Sequence, residues 1–223
     1  MVLNSYIDHT LLKPTALISE IRQLCIEAVN YSFAAVCVPP PLVVNARKEL
    51  ADTGVKTATV IGFPFGYSNA AAKKDEAVQA LKDGADELDM VINLVALKNK
   101  AWNYVQSEIA ALSELSHDQN KLIKVIIESG VLSDEEIIRC CEICTAAGVD
   151  FVKTSTGYAE KGASTAAVRL MRANLPTNIK IKASGGIRTY EFARELVEAG
   201  AERLGCSASI AIVEGSGKPG NGY

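Results

Sequence analysis

The chain has 223 residues, 48% of them hydrophobic, with a formal net charge of −3 and a pI near 5.5. That balance argues against a nucleic-acid or anionic-membrane partner, and no apolar run approaches the roughly 20 residues of a membrane-spanning helix. The opening "MVLNSYIDHTLLKP" has no basic segment followed by an apolar one, so it does not read as a secretory signal, and a cytoplasmic protein is expected.

In chain order, the first predicted strand is "YIDHTLL", which carries Asp8. A helix follows over 17–31, with Ile21, Leu24, Cys25, Ala28 and Val29 as its apolar stripe. Next come the strands "FAAVCV", running into three prolines, "TATVIG", and "DELDMVI", which holds Asp89. "LIKVIIE" carries Lys124 and Glu128, "DFVKTS" Lys153, "IKIKAS" Lys180 and Lys182, and "RLGCS" closes the series. Helical stretches separate them. Gly54, Gly84, Gly148 and Gly200, together with Asn120 and Asn178, stand where a helix end calls for left-handed backbone. Ser133 with Glu136 forms a capping box, and Thr189 is placed to cap the helix that follows it.

Eight β-α units in strict alternation imply parallel strands and right-handed crossovers, and so a (β/α)8 TIM barrel of the α/β class. A dinucleotide fold would want G-x-G-x-x-G after its first strand, and the chain has none there. No linker divides the sequence. One domain is expected over 1–214, followed by a flexible tail over 215–223.

The six cysteines include a C-x-x-C within "CCEIC". No second ligand pair accompanies it, and His9 and His117 lie far away. Ile137, Cys140, Cys141, Cys144 and Ala147 recur at helical spacing, so these thiols read as the apolar face of a helix, and neither a metal nor a cofactor is expected.

In a barrel of this kind the chemistry sits at the C-terminal ends of the strands. Parallel strands ordinarily read as nearly continuous apolar runs. Here Asp8, Asp89, Lys124, Glu128, Lys153, Lys180 and Lys182 interrupt them. Adjacent strands lie about 4.8 Å apart. Were Lys153 and Lys182 both to face inward, their ammonium groups would repel by roughly 3 kcal/mol at an effective dielectric near 20. Repulsion and burial together would bring one amine toward neutrality and make it a nucleophile, with Asp89 holding the other charged. Further on, Gly185 and Gly186 in "KASGGIRT", with Gly205 and Ser207 in "LGCSAS", fall after the seventh and eighth strands, a frequent phosphate site of this fold.

These residues resemble the deoxyribose-phosphate aldolase family, class I aldolases on a (β/α)8 barrel. The likeness runs from "YIDHTLLKP" through "VIGFPFG", "ELDMVIN" and "KVIIES" to "FVKTSTG", "KASGGIRT" and "RLGCSAS". It implies a lyase that reversibly cleaves 2-deoxy-D-ribose 5-phosphate to D-glyceraldehyde 3-phosphate and acetaldehyde, without a cofactor. It also implies Lys153 as the Schiff-base lysine, Lys182 as the second lysine and Asp89 as the proton relay, supported by Asp8 and Lys124. Thr156, Gly185, Gly186, Gly205 and Ser207 match sugar-phosphate positions, Cys37 a cysteine near the site, and Tyr223 a terminal tyrosine that some members fold over it. Homodimers or homotetramers are implied as well. The chain departs from the family pattern at Ser129, at the glycine-poorer "YAEKGAS", where Lys161 adds charge, and at "VCVPPP". Two alternatives remain at this stage: another Schiff-base aldolase acting on phosphorylated ketoses, and a non-catalytic barrel that binds a phosphorylated ligand.

Overall fold

All eight expected strands form, and their side chains alternate between an outer layer under the helices and the interior they enclose. The computed structural model describes residues 1–215. The strands are β1 (Ile7–Thr10), β2 (Ala35–Val38), β3 (Lys56–Ile61), β4 (Glu87–Val91), β5 (Leu122–Ile126), β6 (Phe151–Lys153), β7 (Lys180–Ser184) and β8 (Arg203–Cys206). Each pairs in parallel with the next, and β8 returns to β1, closing the barrel. Around it lie α1 (Ile18–Asn30), α2 (Val43–Glu49), α3 (Ala70–Lys82), α4 (Leu94–Lys98), α5 (Trp102–Asp118), α6 (Asp134–Ala146), α7 (Thr165–Asn174), α8 (Tyr190–Glu198) and α9 (Ser209–Val213). Among the described residues no helix is long and apolar enough to cross a membrane.

The two layers of the sheet are chemically unlike. Outward residues such as Val36, Met90, Val125, Val152, Ile181 and Leu204 join the helices in one continuous hydrophobic core. Inside, β1–β3 carry a small apolar cluster of Ala35, Cys37, Ala58 and Val60 beside Leu12. The opposite half of the interior is filled by Glu87, Asp89, Lys124, Lys153, Lys182 and Arg203, facing Asp8 from β1. Charges therefore stand where this fold ordinarily stacks branched aliphatic side chains.

Local expectations fare variously. Ser133 and Glu136 form the capping box of α6, and Thr189 caps α8 by accepting from the Phe192 amide. A cap of this kind contributes about 1 kcal/mol. Gly84, Gly148, Gly200 and Asn120 take left-handed backbone at helix ends. Gly54 does not; Asp52 turns the chain after α2 instead. Nor does Asn178, because α7 has already ended at Asn174, with Leu175 extended ahead of Pro176. In α1 the stripe of Ile21, Leu24, Cys25 and Ala28 is buried, but Val29 is 41% exposed, one position beyond the buried arc. All six cysteines are buried thiols, with Cys140, Cys141 and Cys144 on the inner face of α6.

Candidate active site

Asp89 is the hub of the interior. Its Oδ2 accepts from Lys153 Nζ at 2.8 Å and from Lys182 Nζ at 2.7 Å, while its Oδ1 accepts from Lys124 Nζ at 2.7 Å. Lys182 also donates to Asp8 Oδ2. Asp8 Oδ1 in turn accepts from Arg203 at 2.5 Å, Arg203 forks onto both oxygens of Glu87, and Glu87 Oε2 meets Lys124 Nζ at 2.6 Å. The contacts close a ring of six alternating charges: Asp89, Lys182, Asp8, Arg203, Glu87, Lys124, and back to Asp89. Each member touches at least two of opposite sign, which offsets the several kcal/mol that removing an ion from water costs. Lys153 hangs from this ring at Asp89 as a seventh, unmatched group.

Register explains the assembly. Asp89 is paired with Lys124 across β4 and β5, Lys153 with Lys182 across β6 and β7, and Lys182 with Arg203 across β7 and β8. Gly205 leaves room for the lysine stem, since a Cβ there would lie 3.1 Å from Lys182 Cε.

The seven groups split in their electrostatics. Burial lowers the Lys153 amine below its ordinary value, with Lys182 adding to that and Asp89 opposing it. Burial also acts on Lys182 and Lys124, but there the carboxylates win: Asp8 and Asp89 hold Lys182 high, and Asp89 and Glu87 hold Lys124 high. For Asp8 and Asp89 burial works toward protonation, and the surrounding cations more than reverse it. Repulsion between the two lysines, which the sequence suggests as the main cause, is thus not what chiefly lowers the Lys153 amine. Desolvation leads, and Lys182, clamped between two carboxylates, follows.

Lys153 is the last residue of β6, at the C-terminal mouth, and is 3% exposed. Beside it a shallow groove is lined by Gly157, Gly162, Gly185, Gly186, Gly205 and Ser207, with Arg188 at its edge. Ala159, Glu160 and Ile187 complete its lining, and the backbone that its five glycines leave bare suits an oxyanion held by amide N–H groups, with Arg188 offsetting the Glu160 carboxylate. Gly162 and Gly185 meet so closely that a Cβ on Gly162 would lie 2.3 Å from Gly185 O. The four groove residues expected after β7 and β8 are here, and Gly157, Gly162 and Arg188 join them. Thr156 does not line the groove. It is buried, with its amide and hydroxyl on the carboxyl of Glu128. Lys161 is exposed and turns its backbone carbonyl toward Gly130. Lys180 opens β7 at the far end of the barrel, over the Phe151 ring, away from the site. Cys37 faces the interior with its thiol pushed up to about 11, chiefly by burial. Tyr223 lies outside the described residues.

Across the mouth, above β1–β3, an apolar hollow is lined by Leu12, Pro39, Pro40, Val60, Phe63 and Tyr158. The proline-rich stretch after β2 forms part of its rim. Beneath it Lys73, fully buried, donates to Val91 O at 2.7 Å and pairs with Glu108 at 2.9 Å, tying α3 and α5 to the end of β4.

Sequence reasoning missed Glu87 and Arg203. Both open their strands, where a polar residue is ordinary. Period two was the available signal, because Glu87 and Asp89, like Arg203 and Gly205, share a face.

The sequence model of the DeoC/LacD family aldolases matches residues 3–214. A deoxyribose-phosphate aldolase of Lactococcus lactis subsp. lactis is 49% identical over 215 residues, covering 96% of this chain and 97% of the relative. That of Thermococcus kodakarensis is 50% identical over 213 residues, covering 95% of each. Among solved structures, a tetrameric deoxyribose phosphate aldolase from Aeropyrum pernix superposes with a TM-score of 0.89 at 34% identity, covering 95% of this chain and 89% of that one. A closed barrel with amines buried beside a carboxylate, and a sequence match along nearly its whole length, make this chain a member of the DeoC/LacD family of aldolases.

Proposed function

We propose that the chain is a class I aldolase that reversibly cleaves 2-deoxy-D-ribose 5-phosphate to D-glyceraldehyde 3-phosphate and acetaldehyde, with residues 1–214 as the catalytic unit. The observation that carries this reading is the buried Lys153 amine, lowered toward neutrality and hydrogen-bonded to Asp89 at 2.8 Å. Relatives about half identical to it bear the name of this activity.

In this reading the neutral Nζ of Lys153 adds to the C1 aldehyde of the open-chain sugar, and the former carbonyl oxygen leaves as water. The resulting iminium receives the electron pair of the breaking C2–C3 bond, while the C3 hydroxyl gives up its proton and becomes the aldehyde of glyceraldehyde 3-phosphate. The enamine left on Lys153 is protonated at C2, and water then releases acetaldehyde. Asp89 and Lys182 move the protons, Asp8 and Lys124 hold that pair in place, and the amides around Gly185, Gly186 and Ser207 grip the phosphate. A homo-oligomer, dimeric or tetrameric, is proposed in keeping with the tetrameric relative.

Borohydride reduction with acetaldehyde present, followed by peptide mass mapping, tests the assignment. An ethyl adduct on Lys153 is expected, and Lys153→Ala should lose both the adduct and at least about 10³-fold of the cleavage rate. An adduct on Lys182 instead would overturn it. Cleavage of phosphorylated ketoses faster than deoxyribose 5-phosphate would shift the substrate to the ketose class.

A further inference from the structure

We propose that Glu87 and Arg203, at the end of the barrel remote from substrate, decide how readily Lys153 gives up its proton by keeping the ionic ring beneath it neutral. The inference rests on Lys153 being the reacting amine. Neither residue is placed to touch substrate: each opens its strand at the end away from the mouth, Glu87 is 1% exposed, and Arg203 lays its guanidinium over the Phe151 ring. They are positioning residues that act through Asp8 and Lys124.

The ring holds three carboxylates (Asp8, Glu87, Asp89) and three cations (Lys124, Lys182, Arg203), joined by contacts of 3.3 Å or less. It is neutral when every member is ionised. Lys153 is a fourth cation with no fourth carboxylate in the ring. The other titratable groups packed toward it are the Cys37 thiol, which burial keeps protonated, and the carboxyl of Glu128 at the end of β5, which burial raises and which is engaged by the Thr156 amide and hydroxyl. A buried amine facing a neutral ring has only local contacts to hold its proton, and desolvation prevails. Remove a cation from the ring and the ring becomes an anion that keeps Lys153 charged. Remove a carboxylate and it becomes a cation that expels the proton.

The register places Arg203 two strands from Lys153, roughly 10 Å away. At that distance one unit of charge changes a protonation equilibrium about tenfold. The acid limb of kcat/KM should therefore move up by about one pH unit in Arg203→Gln and down by a similar amount in Glu87→Gln. It should stay in place in Arg203→Lys and return close to its original position in the Arg203→Gln/Glu87→Gln double variant. A second readout needs no aldolase activity: the pH dependence of reductive methylation of Lys153 by formaldehyde and cyanoborohydride, followed by peptide mapping. Opposite shifts in the two single variants support the proposal. Shifts in the same direction, or unshifted profiles in folded protein, overturn it. If one single variant does not fold, the direction of the other decides. Methylation shifts without cleavage of deoxyribose 5-phosphate would sink the proposed function and leave the ring intact; normal cleavage with unshifted methylation would do the reverse.

Discussion

At Glu128 the backbone turns left-handed, with φ and ψ both 55°, a conformation that costs a non-glycine residue of order 1 kcal/mol or more. The return is reach. Its carboxyl crosses from the end of β5 to accept the Thr156 amide at 3.2 Å and the Thr156 hydroxyl at 2.5 Å, while Ser129 N donates to Thr154 O. Glu128→Ala would leave the buried Thr156 amide without an acceptor, at a cost of about 1–3 kcal/mol. A lower urea midpoint is expected, with Glu128→Gln falling less because its amide oxygen can still accept. The sequence showed a charge at this place but not its partner, since the pairing depends on how the β5 turn lies against the loop after β6. Lys153, Lys182 and Asp89 were legible because each interrupts an otherwise apolar strand, and period two turns all three inward.

The loop from β6 to α7 shows how one element serves its neighbours. It is pinned at Thr156 by Glu128 and at Ala163, whose amide donates a hydrogen bond to Gly185 O at 3.0 Å, and at Lys161 its backbone packs closely on Gly130. Gly162 makes the last contact possible. Gly162→Ala would drive a methyl into the Gly185 carbonyl, widen the groove and misplace its amides. Kinetics should show KM for deoxyribose 5-phosphate rising about tenfold or more, the equivalent of one lost charge-assisted hydrogen bond, with kcat/KM for unphosphorylated deoxyribose much less affected. From sequence this stretch reads as a departure from a glycine-rich pattern, yet the glycines that remain, Gly157 and Gly162, are those that line the groove. Helix ends were readable where the helix runs up to its glycine or asparagine. They were not at Gly54 and Asn178, where an earlier aspartate or a proline ended the turn first.

Across the whole molecule the ring is also a stability element with a pH window. Asp8 and Asp89 are held below the ordinary carboxyl value of 3.8, so their contribution is complete above that value and drains away as pH falls through the folded values. Lys124 and Lys182 are held above 10.5, so theirs is complete below that value and is lost as pH climbs through the folded ones. Unfolding free energies from urea melts at about pH 3 to pH 11 should fall on both flanks, by up to roughly 1.4 kcal/mol per pH unit for each group. Strand order and barrel closure were legible from alternation alone. The ring was not, because it joins residues as far apart as Asp8 and Arg203, 195 positions along the chain. That separation has a bearing on synthesis. While the polypeptide is still emerging from the ribosome, Lys153 has been made but β8 has not, and its amine is an ordinary hydrated ammonium. Translation must pass β8 before the nucleophile comes into being, so a chain halted before that strand offers cellular carbonyls no more than any other lysine does.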